Sequence, residues 1–312
     1  MANTNVISYF SYKGGAGRST LAFNTIPILA AEHLHPTKEH PMIIVDMDID
    51  SCGMSYLLEV EDEICDDCCV QQLLSEGCNS NEKPASIREH PNFKKLCAVG
   101  KKFGYHDNEA ILFLPAKDVK NVDAAGNSNY SDANNPFKTA LDSFIEMCAY
   151  YRVPAVILDS AVGNNATANA ANQVSNIIVC CMRPTTQFVN GTVRFLETLD
   201  SDVTTISGRK KVVVVPNVVP QDRVVIDGHR YPDLAIDRIY DKFRPLLADR
   251  DEFDGISYEE GMLDEDEFGI PAVHSFMWRE GQLFTQPELN DNEKVALARY
   301  KKLAKLISSH CK

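Results

Sequence analysis

The stretch that most narrows what this chain can fold into is SYKGGAGRST, residues 11–20. Gly14, Gly15 and Gly17 let the backbone turn tightly with its amides pointing inward. The run before it, NVISYFSY (5–12), is short and β-rich, and a helical pattern of apolar residues begins at Arg18. Strand, glycine turn and helix N-terminus together make a nest for an anion, because free amides and the helix dipole converge there. The spacing nearly spells the phosphate loop G-x-x-x-x-G-K-[ST], whose lysine reaches the β- and γ-phosphates. Arg18 stands at the lysine position, and a second cation, Lys13, sits at the front of the loop. A guanidinium can pair with phosphate oxygens through two parallel bonds, but its planar fork does not replace a compact ammonium. Ser19 is placed to ligand Mg²⁺ and Thr20 to reach an α-phosphate.

The remaining pattern is strand alternating with helix. Continuous apolar runs at 41–50, 110–116, 153–160, 176–184 and 210–217 join the first at 5–12. Such runs indicate strands covered on both faces, as in parallel sheets. Helical periodicity runs from Arg18 to about Leu34, over 137–151, over 186–199 and over 291–310. Pro27 should kink the first of these helices or shift its start. The fold class is therefore α/β: a doubly wound, mostly parallel sheet with helices on both faces. Ligands bind such sheets at the carboxyl ends of the strands, where the glycine loop, Asp46, Asp48, Asp159 and Asn217 all fall. Residues 118–136, rich in Asn, Asp, Ser and Gly, are expected to be a surface loop. The dense acidic stretch 249–269 is expected to be a solvated excursion. No repeat or linker divides the chain, so residues 1–312 are expected to form one domain.

A formal net charge of −13 repels a nucleic-acid backbone at long range, so DNA binding is not favoured. The short basic run Arg209, Lys210, Lys211 is the main feature on the other side. No apolar run approaches membrane-spanning length, and the first residues, MANTNVISYF, lack the layout of a signal peptide. A cytoplasmic location and reduced thiols are expected for the ten cysteines. Cys65, Cys68, Cys69 and Cys78 have spacing that could begin a zinc site, but the same segment reads as a short helix with buried thiols. Cys180 and Cys181 should face opposite sides of the sheet.

The spelling K-G-G-x-G-[KR]-[ST] resembles the deviant Walker A motif of the ParA/MinD family of ATPases. The resemblance extends over about residues 5–220. IIVDMDIDSCGMSYLL (43–58) looks like the family segment in which paired aspartates face the γ-phosphate and water, matched by Asp46 and Asp48. AVILDSAVG (155–163) looks like the Walker B and switch II segment. The family plan then implies ATP and Mg²⁺ as cofactors. Gly14, Gly15, Ala16, Gly17, Arg18, Ser19 and Thr20 would hold phosphate. Ser19, Asp46 and Asp159 would surround the metal, and the Gly163 amide would touch the γ-phosphate. Asp48 would position water, Arg18 would serve the phosphates and Asn217 would face adenine. Lys13 would act across a nucleotide-sandwich homodimer.

The implied role is an ATP-driven switch that positions or partitions a cargo, TadZ-like or plasmid-partition-like, with an unidentified protein partner. Slow turnover is expected because of Arg18. The alternative is a nucleotide-binding scaffold with little or no hydrolysis. A superfamily enzyme using ATP for amide or cofactor chemistry would need a second catalytic domain, which is not recognisable. Leu297, Leu303, Leu306 and Ile307 with neighbouring lysines could lay the last helix on a membrane, but packing on the core is favoured.

Overall fold

The structure is a computed structural model. It describes residues 4–60, 69–76, 84–91, 93, 96–117, 135–199, 210–221, 225–226, 229–248, 256–259, 261–263, 268–277 and 281–311. Its strands are β1 (Asn5–Ser11), β2 (Met42–Asp46), β3 (Cys97–Ala98), β4 (Ile111–Leu114), β5 (Ala155–Val162), β6 (Ile177–Met182), β7 (Lys210–Pro216), β8 (Val225–Ile226), β9 (His229–Arg230) and β10 (Ile256–Glu259). Its α-helices are α1 (Arg18–Ile28), α2 (Gly53–Leu57), α3 (Val70–Glu76), α4 (Pro136–Tyr150), α5 (Ala166–Val174), α6 (Thr186–Leu199), α7 (Tyr231–Ala248) and α8 (Asp291–His310).

Eight strands form one sheet in the order β10-β7-β6-β1-β5-β2-β4-β3. All neighbours are parallel except β3, which runs antiparallel to β4. β8 and β9 form a separate small hairpin. Every residue of β1, β2, β4 and β6 is buried, as the unbroken apolar runs require. Alternate side chains go to opposite faces. Ile7, Ile44, Ile157 and Cys181 join a core beneath α1 and α8. Val6, Ile43 and Val156 join one beneath α3, α4 and α5, while Phe10, Cys180 and Val212 pack under α6 and α7. Burying one such aliphatic side chain contributes about 1.5–3 kcal/mol, more than the helix preference of any residue other than proline. Helices therefore cover both faces, and Cys180 and Cys181 divide between them.

Three details depart from the sequence pattern. Pro27 lies in the last turn of α1, whose start at Arg18 is not shifted, and the chain passes directly into a wider π-helical stretch at Leu29–Leu34. Within the acidic stretch, Ile256–Glu259 is the edge strand β10, paired with β7, not a solvated excursion. Met262, Leu263 and Phe268 from the same stretch are buried. The acids around them masked a short apolar alternation. The long helix α7 carries a helical period that the sequence pattern above leaves unassigned, with Ala235, Ile239 and Phe243 buried at four-residue spacing, whereas the two-residue β3 is too short to give one. Residues 118–134 of the expected loop, and Cys65, Cys68 and Cys78 of the cysteine cluster, lie outside the described residues. Cys69 is buried.

α8 packs on α1 through Ala296, Tyr300, Leu303, Ala304 and Ile307, so its apolar face is used within the fold. Among the described residues no helix is long and apolar enough to cross a membrane. Lys210 is buried and its ammonium donates to the carbonyls of Asn172 and Gln173 at the end of α5, which removes it from any basic face.

The start of α8 also fixes the wall of a cleft. Asn290 accepts from the Glu293 amide at 2.9 Å, and Glu293 accepts from the Asn290 amide at 3.0 Å, a reciprocal cap. Glu293 accepts a further bond from Ser275 Oγ at 2.6 Å, and Asn292 donates to the Ala272 carbonyl at 2.7 Å. These bonds hold segment 271–276 against the helix. Asn290→Ala should lower stability by about 1 kcal/mol, the usual worth of an N-cap, read as a lower urea midpoint with unchanged slope. An unchanged midpoint would show that the cap is not formed in solution.

Candidate phosphate-binding site

β1 ends at Ser11, beside β5 and β6, and the chain turns through Tyr12–Gly17 into α1. Gly15 has φ 81° and Gly17 has φ 79°, in the left-handed region that side chains avoid. A Cβ on Gly17 would also lie 2.7 Å from Asn217 Nδ2. Asn217, just past β7, donates from that nitrogen to the carbonyls of Ala16 at 2.9 Å and Gly17 at 3.2 Å. It therefore braces the loop from outside. Gly14 and Gly15 are exposed, and Ser19 and Thr20 are half-buried at the helix start.

Arg18 does not lie along the loop as a phosphate cradle would require. Its side chain is 6% exposed and spans two aspartates. Nε donates to Asp159 Oδ1 at 2.7 Å, and Nη2 donates to Asp48 Oδ2 at 2.6 Å. Nη2 is also 3.3 Å from Ser19 Oγ. Ser51 Oγ adds a 2.6 Å bond to the same Asp48 oxygen. Nη1 of Arg18 and Oδ2 of Asp159 are buried and have no hydrogen-bond partner among the described residues. Burial opposes the Arg18 charge, but Asp159 and Asp48 outweigh it and raise its affinity for its proton.

The parallel register explains the gathering of acids. Asp46 on β2 sits directly beside Asp159 on β5. Asp46 Oδ2 accepts from the amide and hydroxyl of Ser55 at 3.0 and 2.8 Å, and Oδ1 accepts from the Asp48 amide at 3.2 Å. Burial pushes Asp46 up to about 7, with Asp159 adding repulsion and the Ser55 bonds opposing the rise. Burial likewise raises Asp159, with Arg18 pulling the other way.

These contacts decide whether the residues fit a magnesium ion. Metal ligation needs oxygen lone pairs turned to a common point, with donors kept away. Here guanidinium donors occupy Asp48 and Asp159 and approach Ser19, while Asp46 is turned to Ser55 and the Asp48 amide. As arranged, Ser19, Asp46 and Asp159 do not converge on an ion: their oxygens are taken by Arg18, Ser55 and the Asp48 amide, except the unpartnered Oδ2 of Asp159. Asp46 is instead a positioning residue for Ser55, at the helix α2.

The other expected residues divide. Gly163, with φ 79°, donates its amide to the Ser11 carbonyl at 3.1 Å and so ties β5 to the loop. Lys13 is exposed, donates to Gln187 Oε1 at 2.5 Å and lies 5.8 Å from the centre of the Phe188 ring, resting on α6 of its own chain. Beside Gly15, Gly17 and Thr20 opens a cleft of about 380 Å³, a size suited to a nucleotide-scale ligand. Arg183, Asn217, Val218, Val273, Phe276 and Tyr300 contribute to its lining. Of these only Asn217 is marked by the sequence motifs. Val218 has φ 57°, a strained geometry for a β-branched residue, and it lies on the cleft wall. The run IPAVHSF (270–276), which supplies Val273 and Phe276, carries no ligand signature in its sequence.

The sequence matches no family model and no curated protein. Solved structures do match in fold. A variant of Cyanothece McdA in complex with ATP has TM-score 0.59 and 13% identity, covering 99% of this chain and 97% of that one. A plasmid partition protein of Borrelia burgdorferi has TM-score 0.57 and 14% identity, with 97% of each chain covered. MinD of Pyrococcus horikoshii, complexed with Mg-ADP, has TM-score 0.51 and 16% identity, covering 97% of this chain and 96% of that one. The chain has the ParA/MinD type of P-loop fold.

The raised Asp46 has a signed consequence. The folded protein keeps a proton on Asp46 that the unfolded chain releases near pH 4, in the ordinary range of an aspartate. Its contribution is full below about pH 4 and is lost as pH rises toward about 7. Urea midpoints at about pH 5 and about pH 8 should therefore fall more for the wild type than for Asp46→Asn, which stays neutral. Equal falls in both would place the Asp46 proton elsewhere.

Proposed function

We propose that this chain is a nucleotide-dependent switch of the ParA/MinD type, which binds ATP, dimerises when loaded and positions or partitions a cellular cargo. The observation that carries this reading is the glycine loop between β1 and α1, opening onto the cleft beside Asn217. The amides of Gly14, Gly15 and Gly17 and the α1 N-terminus supply the phosphate nest. Val273, Phe276 and Tyr300 supply apolar and aromatic surface for a base. Asn217 Oδ1 and Arg183 supply polar recognition at its edge. Turnover on this reading is slow, because Asp48, the carboxylate for orienting water, is bound to Arg18. The McdA and Borrelia partition structures, which carry the same fold, support the choice of cargo positioning over metabolic turnover.

A second reading is a scaffold that holds nucleotide without hydrolysing it. The Arg18 bonds to both Asp48 and Asp159 favour it, since the carboxylate assigned to orient water is held by a guanidinium.

In the dimer Lys13 leaves Gln187 and Phe188 and reaches the partner's phosphates. Mass by light scattering should then double with ATP and stay monomeric with ADP or without nucleotide. Lys13→Ala should keep nucleotide affinity within about threefold, since an exposed pair contributes little, yet lose the dimer. Phosphate release measured on the same samples separates switch from scaffold. A mass indifferent to nucleotide would contradict the switch.

A further inference from the structure

We propose that Arg18 holds the place of the divalent cation in this site, so that the chain takes its nucleotide without bound metal. The inference rests on the nucleotide-binding reading above for its second half only. The first half concerns the protein's own charges.

Asp46 and Asp159 are adjacent in register and Asp48 follows at the same strand end. Such a cluster needs a cation, because buried carboxylates this close cannot all ionise unaided. Arg18 supplies it from inside the chain. Its Nε and Nη2 are 2.7 and 2.6 Å from the two acids, and the pair is closed to solvent. A lysine has one nitrogen and cannot present two separated donor edges in a fixed plane, so the Lys-to-Arg exchange is what allows one side chain to span both carboxylates. The guanidinium also approaches Ser19 Oγ, at 3.3 Å, the hydroxyl assigned to the metal. One oxygen of each of Asp48 and Asp159, and the Ser19 hydroxyl, thus lie against one internal cation, while Asp46 is held by Ser55 and the Asp48 amide.

The same placement leaves a donor over. Arg18 Nη1 is buried without a partner among the described residues, which is costly for a charged group. An anion in the glycine nest would satisfy it. The guanidinium then serves as a bridge, its Nε and Nη2 edge on the acids and Nη1 on a terminal phosphate oxygen. The work normally divided between a lysine and a metal falls to one side chain.

Manganese alone tests the first half. The thermal midpoint of the wild-type chain should not move with millimolar Mn²⁺. Arg18→Ala strips the acids of their cation and should lower the midpoint on the order of 10 °C, the loss expected when one partner of a buried ion pair is removed. Millimolar Mn²⁺ should restore much of that loss, and the electron paramagnetic resonance signal of free Mn²⁺ should fall in step. Failure of Mn²⁺ to bind the variant would overturn the claim that Arg18 occupies a cation position. The second half is tested on the wild type, with no variant needed if Arg18→Ala does not fold. A fluorescent ATP analogue should bind with the same affinity, within about twofold, in EDTA and in millimolar Mg²⁺, where RT ln 2 is about 0.4 kcal/mol. Tightening by tenfold or more with Mg²⁺ would overturn the proposal. Absence of binding in both buffers would overturn the nucleotide reading and with it metal-free loading, while the Mn²⁺ result would still decide the role of Arg18.

Discussion

One buried cation organises the carboxyl edge of this sheet. β2 and β5 deliver Asp46 and Asp159 side by side, and the turn after β2 adds Asp48. Without a counter-charge these groups would repel or take up protons. Arg18 enters from the first turn of α1, where a cation is disfavoured by the helix dipole, and is held there because two carboxylates more than offset that cost. The dipole effect is worth about 0.3–1 kcal/mol, whereas breaking a buried ion pair costs about 3–5 kcal/mol. The comparison explains why the side chain turns inward and not toward the open loop.

That choice propagates. Asp46 is freed from counter-charge duty and turns to Ser55, fixing the start of the α2 region against β2. The glycine loop is braced by Asn217 from β7 and by Gly163 bonded to Ser11. The cleft beside it is walled by segment 271–276, which the capped start of α8 holds in place. A phosphate nest therefore remains intact while the acids behind it already hold a counter-charge.

Much of this was legible in the sequence for a plain reason. Six parallel strands buried on both faces must be written as continuous apolar runs, and the glycine loop leaves few alternatives to strand, turn and helix. β10 was hidden because acids flank four residues that pair at a sheet edge, where only one neighbour is required. Pro27 marked a change in the helix but not its form: the α-helix gives way to a π-helical stretch at Leu29, which keeps the chain helical past the proline. At the site, the sequence marked Arg18, Asp48 and Asp159 separately, each with a role toward nucleotide or metal. It could not show that they bind one another, since that depends on the relative positions of α1, β2 and β5. The cleft wall at Val273, Phe276 and Tyr300 was equally out of reach, because it is assembled by hydrogen bonds from α8 over a long sequence separation.

The most direct measurement of this arrangement is a crystal structure grown with both ATP and Mg²⁺ present. The expected result is nucleotide on the glycine loop with the Arg18 guanidinium still bonded to Asp48 and Asp159, and no metal density between those carboxylates. A magnesium ion beside Asp48 and Asp159, with Arg18 swung onto the phosphates, would contradict it.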